Sequence, residues 1–118
     1  MINLNLGLTV DSLAGLLEKF WQVSGEKITK LKAERDSDAG TPVFTVEGQY
    51  IAQGWTEWTQ GFQFGSSILQ YDATGDSEFL DSGRQATVNQ MASHVTHFGV
   101  HDHGFNNINI FFNSMLTQ

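Results

Sequence analysis

The triplet Thr74-Gly75-Asp76 limits the possible folds more than any other part of this sequence. It stands between two segments whose apolar residues recur at helical spacing, 56–74 and about 77–95. Glycine accepts the left-handed backbone that closes one helix, and an aspartate carboxylate accepts the first free amides of the next. Helices joined by so short a turn must fold back on each other as an antiparallel α-hairpin. The pattern points Trp58, Phe62, Ile68 and Leu69 inward from the first helix. It points Phe79, Leu80, Thr87, Met91 and Val95 inward from the second. Gly61 and Gly65, four apart, leave room for close packing or for a ligand, at a cost of roughly 1 kcal/mol each in helix propensity.

Upstream, a helix starts at Thr9 or Asp11, either of which suits an N-cap. Leu13, Leu16, Leu17, Phe20, Trp21, Ile28 and Leu31 mark its apolar face, and Ser24-Gly25 makes it one bent helix or two shorter ones. Ile2, Leu4, Leu6 and Leu8 alternate in a strand-like way before it. The loop 36–42 (DSDAGTP) precedes a small β-hairpin near 43–52, turned at Glu47-Gly48. After Asn106, an amphipathic stretch containing Ile108, Ile110, Phe111, Phe112, Met115 and Leu116 begins a further helix. The expected class is mainly α, a single helical unit over 1–118 built of antiparallel hairpins.

Composition narrows the function. The chain has 118 residues and a formal charge of −7. With no basic stripe to displace counterions from phosphates, nucleic acid is not an expected partner. Lys27, Lys30, Lys32 and Arg35 crowd one stretch, where a solvated helix end accounts for them. There is no cysteine, hence no disulfide or thiolate chemistry. No apolar run approaches the ~20 residues that span a bilayer, and the N-terminus lacks a signal-peptide pattern. A cytoplasmic protein without membrane contact is the expectation.

The chemistry-bearing residues gather late, since His94, His97, His101 and His103 are all the histidines of the chain. His97, His101 and His103 have spacings compatible with metal ligation. The HExxH pattern and thiolates are missing, however, and no metal or other cofactor is expected. The G-x-S-x-G elbow and the phosphate-binding G-x-x-x-x-G-K motif are also absent. Asp102 has two readings. Held against Phe105 between two imidazoles, its carboxyl suits proton transfer to a sugar. Alternatively it is a turn aspartate accepting backbone N–H bonds. Trp58 similarly reads as a sugar platform or as a core ring.

Three ordered motifs, Trp58-Thr59-Gln60-Gly61-Phe62, Thr74-Gly75-Asp76 and His101-Asp102-His103-Gly104-Phe105, resemble the N-terminal part of unsaturated glucuronyl hydrolases (glycoside hydrolase family 88 and related six-hairpin glycosidases). The resemblance spans most of residues 12–110. It implies an (α/α)6 barrel, of which this chain would be an incomplete part. It also implies action on oligosaccharides carrying a 4,5-unsaturated uronic acid. An acid protonates C4 of the vinyl ether, water adds at C5, and the hemiketal rearranges to release the neighbouring sugar. By the same resemblance Asp102 is a catalytic aspartate, Trp58 lines the sugar site and His101 adjoins the acid. Thr59 and His103, the latter standing where relatives often have an aliphatic residue, are expected to contact substrate together with Trp58 and His101. The family's second catalytic aspartate has no counterpart here, so an inactive fragment is one expectation. The alternative is a non-catalytic helical module that self-associates as a homo-oligomer, because hairpins taken from a barrel expose apolar faces.

Overall fold

A computed structural model describes residues 7–34 and 40–108. The order is α1 (Val10–Glu34), β1 (Thr41–Val46), β2 (Gln49–Gln53), α2 (Gln60–Thr74), α3 (Ser77–Gln90) and α4 (Ala92–Thr96). Residues 102–108 are helical as well. The chain is therefore mainly α with one two-stranded antiparallel sheet. The expected strand at 2–8 lies outside the described residues apart from its last two positions, as does most of the final amphipathic stretch. Among the described residues no helix is long and apolar enough to cross a membrane.

The turn at 74–76 forms as its residues dictate. Gly75 adopts φ 74° and its N–H donates to Tyr71 O at 2.7 Å, while the Asp76 carboxylate caps Glu78 N at 3.0 Å. Gly83 of α3 then faces Phe64, Ser67 and Ile68 of α2. Gly83 and Ser67 are equally far from Gly75 along the chain, so α2 and α3 run antiparallel. A methyl group on Gly83 would lie 2.8 Å from Ile68 Cγ1 and 3.1 Å from Phe64 O. The hydrogen at this position is what lets the two backbones approach.

The inward faces differ from those the pattern predicts. In α2 the buried positions are Gln60, Gly61, Phe64, Gly65, Ser67, Ile68 and Gln70. Phe62 and Leu69, expected inside, are 43% and 41% exposed, and Trp58 lies before the helix at 43%. The helix turns its glycines and small polar residues to its neighbours together with Phe64 and Ile68, because the small residues permit close contact, and Phe62 and Leu69 face outward. Ile68 is inside as expected, at 1% exposure. In α3, Phe79, Leu80 and Thr87 are half-buried. The helix ends at Gln90, so Met91 is the buried junction to α4, and Val95 on α4 is exposed.

Thr9 is the cap of α1: its Oγ1 accepts from Ser12 N at 3.2 Å, and Thr9 N donates to Ser12 Oγ at 3.0 Å. This reciprocal pair has the logic of a capping box with serine in the third place. The helix runs unbroken through Ser24-Gly25 because Gly25 is a docking point and not a break. It is buried against Gln70 and Phe79, and Gln70 Nε2 donates to Trp21 O at 2.8 Å. On the N-terminal side of that point contact thins. Leu16, Leu17, Phe20 and Val23 remain exposed along α1. The radius of gyration, 16.4 Å, exceeds the roughly 13.5 Å of a compact domain of this length.

The hairpin pairs Val46 with Gln49 across Glu47 (φ 50°) and Gly48 (φ 78°), both left-handed as a two-residue turn of this kind requires. A register shift between Pro42 and Phe44 bends its open end.

Candidate active site

The site is assembled by one side chain. Asn106, fully buried, accepts from Gly61 N through Oδ1 at 2.7 Å and donates through Nδ2 to Glu57 O at 2.8 Å. Helix α2 needs this help, because Thr59 at its N-cap makes no side-chain capping bond. The first amides of a helix have no partner within it, and here one comes from a residue 45 positions later. Gly61 allows the approach, since a Cβ there would fall on the Asn106 backbone. The Trp58–Phe62 segment and the His101–Phe105 segment, far apart in sequence, thus become neighbouring walls.

Beside this staple three imidazoles form a hydrogen-bonded row. His94 Nε2 lies 2.7 Å from Gln60 Oε1, His94 Nδ1 lies 2.7 Å from His103 Nδ1, and His103 Nε2 lies 2.8 Å from His97 Nδ1. The Trp55 ring stacks on His103 at 5.4 Å and 9°, and meets His94 and His97 edge-on at 5.3 Å and 5.0 Å. His94 and His103 are buried, whereas His97 is exposed. Asn107 Nδ2 also donates to His94 O.

Hydrogen-bond arithmetic fixes the row's polarity. Gln60 Oε1 only accepts, so His94 Nε2 carries the hydrogen and His94 Nδ1 is the acceptor. His103 Nδ1 must then donate, leaving its Nε2 to accept from His97 Nδ1. Three neutral imidazoles satisfy the row with no bond unmade. Both nitrogens of His103 are committed to different rings. Among the described residues no group of three His, Cys, Asp or Glu has metal-holding geometry.

Burial holds the pKa of His94 below the ordinary 6.5, with His103 and then His97 adding to the effect. Burial also lowers that of His103, with His97 acting in the same sense and the Asp102 carboxylate pulling the other way. In both cases the fold prefers the neutral ring. The unfolded chain therefore binds more protons between the lowered values and 6.5. The associated stability is complete above 6.5 and is lost as pH falls through the folded-state values. The thermal midpoint should drop on acidification below about 6.5, and the His94→Gln variant should show a flatter profile over that range. Parallel profiles for the two proteins would contradict the assignment.

The remaining expected residues are placed as follows. Asp102 keeps 27% of its side chain exposed and has His101 Nε2 at 3.3 Å from Oδ1, with the His101 side chain 89% exposed. Trp58 stands partly exposed, edge-on to Phe62 at 5.6 Å and 86°. Thr59 is half-buried with an unpaired hydroxyl. His103, expected to touch substrate, is 5% exposed with both ring nitrogens bonded to other imidazoles. It supports the wall from behind. Three participants escape sequence reasoning. Trp55 reads as a core ring, His94 as part of a helix, and Asn106 as a turn residue. The clustering of all four histidines within ten residues is the one signal that leads towards them. Compared with protein-family models, curated proteins and solved structures, the chain matches none.

Proposed function

We propose that this chain carries part of a sugar-processing site of the unsaturated glucuronyl hydrolase kind, with Asp102 transferring the proton. The observation that carries this reading is the Asn106 staple, which seats the Trp58–Phe62 wall against the segment bearing Asp102. A proton-transferring carboxyl must be reachable yet partly withdrawn from water. The partly exposed Asp102 beside His101 meets that demand, and Trp58 offers an exposed indole for a sugar face. The exposed row along α1 fits as well, since neighbouring hairpins of an (α/α)6 barrel would cover it.

In the proposed reaction the Asp102 carboxyl gives its proton to C4 of the 4,5-unsaturated uronide while water attacks C5. The water's proton returns to the carboxylate, and the hemiketal formed at C5 opens to release the neighbouring sugar. A lyase-generated unsaturated disaccharide should lose its ultraviolet absorbance in the presence of the protein. General acid catalysis is worth about 10²–10⁴-fold, so Asp102→Asn should slow the loss by at least ~100-fold. Equal rates for the two proteins would reject the reading.

A further inference from the structure

We infer that His97 is the anion-recognising group of this wall, and that with the Trp55 ring it forms a subsite for the carboxylate of a uronic acid. The choice of sugar acid as ligand rests on the proposed function. The geometry of the subsite does not.

Lys and Arg are absent from both segments that build the site, 54–62 and 91–108. Imidazoles are therefore the sole side chains there able to hold positive charge. His94 and His103 are buried and bonded on both nitrogens. His101 already lies against the Asp102 carboxylate. His97 remains: it is exposed, and among the described residues it makes no ion pair with a carboxylate.

The row's polarity suits His97 to this work. Its Nδ1–H points at His103 Nε2, which leaves Nε2 facing away from the cluster as the proton-accepting atom. Protonation at Nε2 adds a hydrogen on the open side and breaks no bond in the row. The opposite polarity would place the Nδ1 lone pair towards His103 and would lose that bond on protonation. The ring is thus held in one orientation by a partner behind it, as oriented imidazoles in functional sites are, and gains charge without rearrangement. Trp55 completes the subsite. One indole face is covered by His103, yet the residue stays 40% exposed, and His97 stands at 75° to its plane. A pyranose lying against the exposed part of this indole would bring a carboxylate to the imidazolium, combining ring contact with a charge-assisted hydrogen bond. The titratable groups around His97 are His103 and His94 in the row, Asp102 and His101 next to it, and Glu57 in the turn after Trp55.

Glucuronate is the test probe, because it lacks the C4=C5 bond and can bind without being hydrated. Failure here is then separate from failure of the Asp102 chemistry. With ¹⁵N-labelled protein, glucuronate should shift the His97 imidazole nitrogens and the Trp55 indole N–H together. Glucose at equal concentration should leave His97 unmoved. Binding should weaken about tenfold or more in His97→Gln. His97 is exposed, so this variant should fold, with unchanged His94 signals as the check. Should it not fold, the contrast between glucuronate and acetate on the wild-type protein and the neutral-state tautomer still decide the matter. The proposal is overturned by undiminished binding in His97→Gln, by acetate moving His97 as strongly as glucuronate, or by a neutral-state proton on His97 Nε2.

Discussion

Asn106→Ala lowers stability by about 3 kcal/mol, the largest loss expected from any single side-chain truncation in the site. The substitution removes two hydrogen bonds at a position with no solvent exposure, those to Gly61 N and Glu57 O. Water cannot readily replace the lost partners, so each orphaned backbone group carries a desolvation cost of about 1–3 kcal/mol. The α2 N-terminus also loses its cap, for which Thr59 offers no substitute. Asn106→Asp separates the two contributions. It keeps an acceptor for Gly61 but has no donor for Glu57 O, and it places a charge where none is solvated. It should be at least as damaging at neutral pH and should recover partly on acidification, opposite in sign to the histidine effect. Urea denaturation of the three proteins measures this directly. A loss for Asn106→Ala within 0.5 kcal/mol of zero, the range of ordinary surface substitutions, would mean that the staple is dispensable.

What the sequence makes legible follows from the range of each interaction. The α2–α3 turn is readable because Gly75 and Asp76 act within a few residues of themselves. The β-hairpin is readable for the same reason at Glu47-Gly48. The inward face of α2 is not, because hydrophobic periodicity assumes that large apolar side chains seek the interior. Here Gly61 faces the Asn106 backbone and Ser67 faces Gly83, and closeness of approach takes precedence over volume at those positions. Phe62 and Leu69 are consequently left outside. Site residues divide in the same way. The histidine-rich segment announces itself, but the bond from Gln60 to His94 spans 34 positions and that from Gly61 to Asn106 spans 45. No local pattern encodes either partner. The burial of His103 is hidden from the sequence in the same way, since Trp55 stacks on it from a distant turn.

Gly61→Ala tests the opposite side of the staple, and the expected sign goes against helix propensity. At an unconstrained helical position, alanine in place of glycine gains about 1 kcal/mol. At Gly61 the added methyl would meet the Asn106 backbone at O, Cα and C. A flexible side chain can swing aside from such a contact, but a main chain within the 102–108 helix cannot. The two segments must separate, which lengthens the Gly61–Asn106 bond and draws His94 and His103 away from Gln60 and Trp55. Overpacking of this kind costs about 1–3 kcal/mol, here with loss of the capping bond added, so a net destabilisation of about 3 kcal/mol is expected. Gly104→Ala provides the contrast within the same construction. Nothing lies within 4 Å of a Cβ there, and a neutral or slightly stabilising effect follows. The double variant Gly61→Ala/Asn106→Ala should be less damaging than the sum of the two singles, because both sever one docking contact. Gly61→Ala as stable as the unaltered protein, or singles that add without remainder, would show that α2 and the Asp102-bearing segment are not held together at this point.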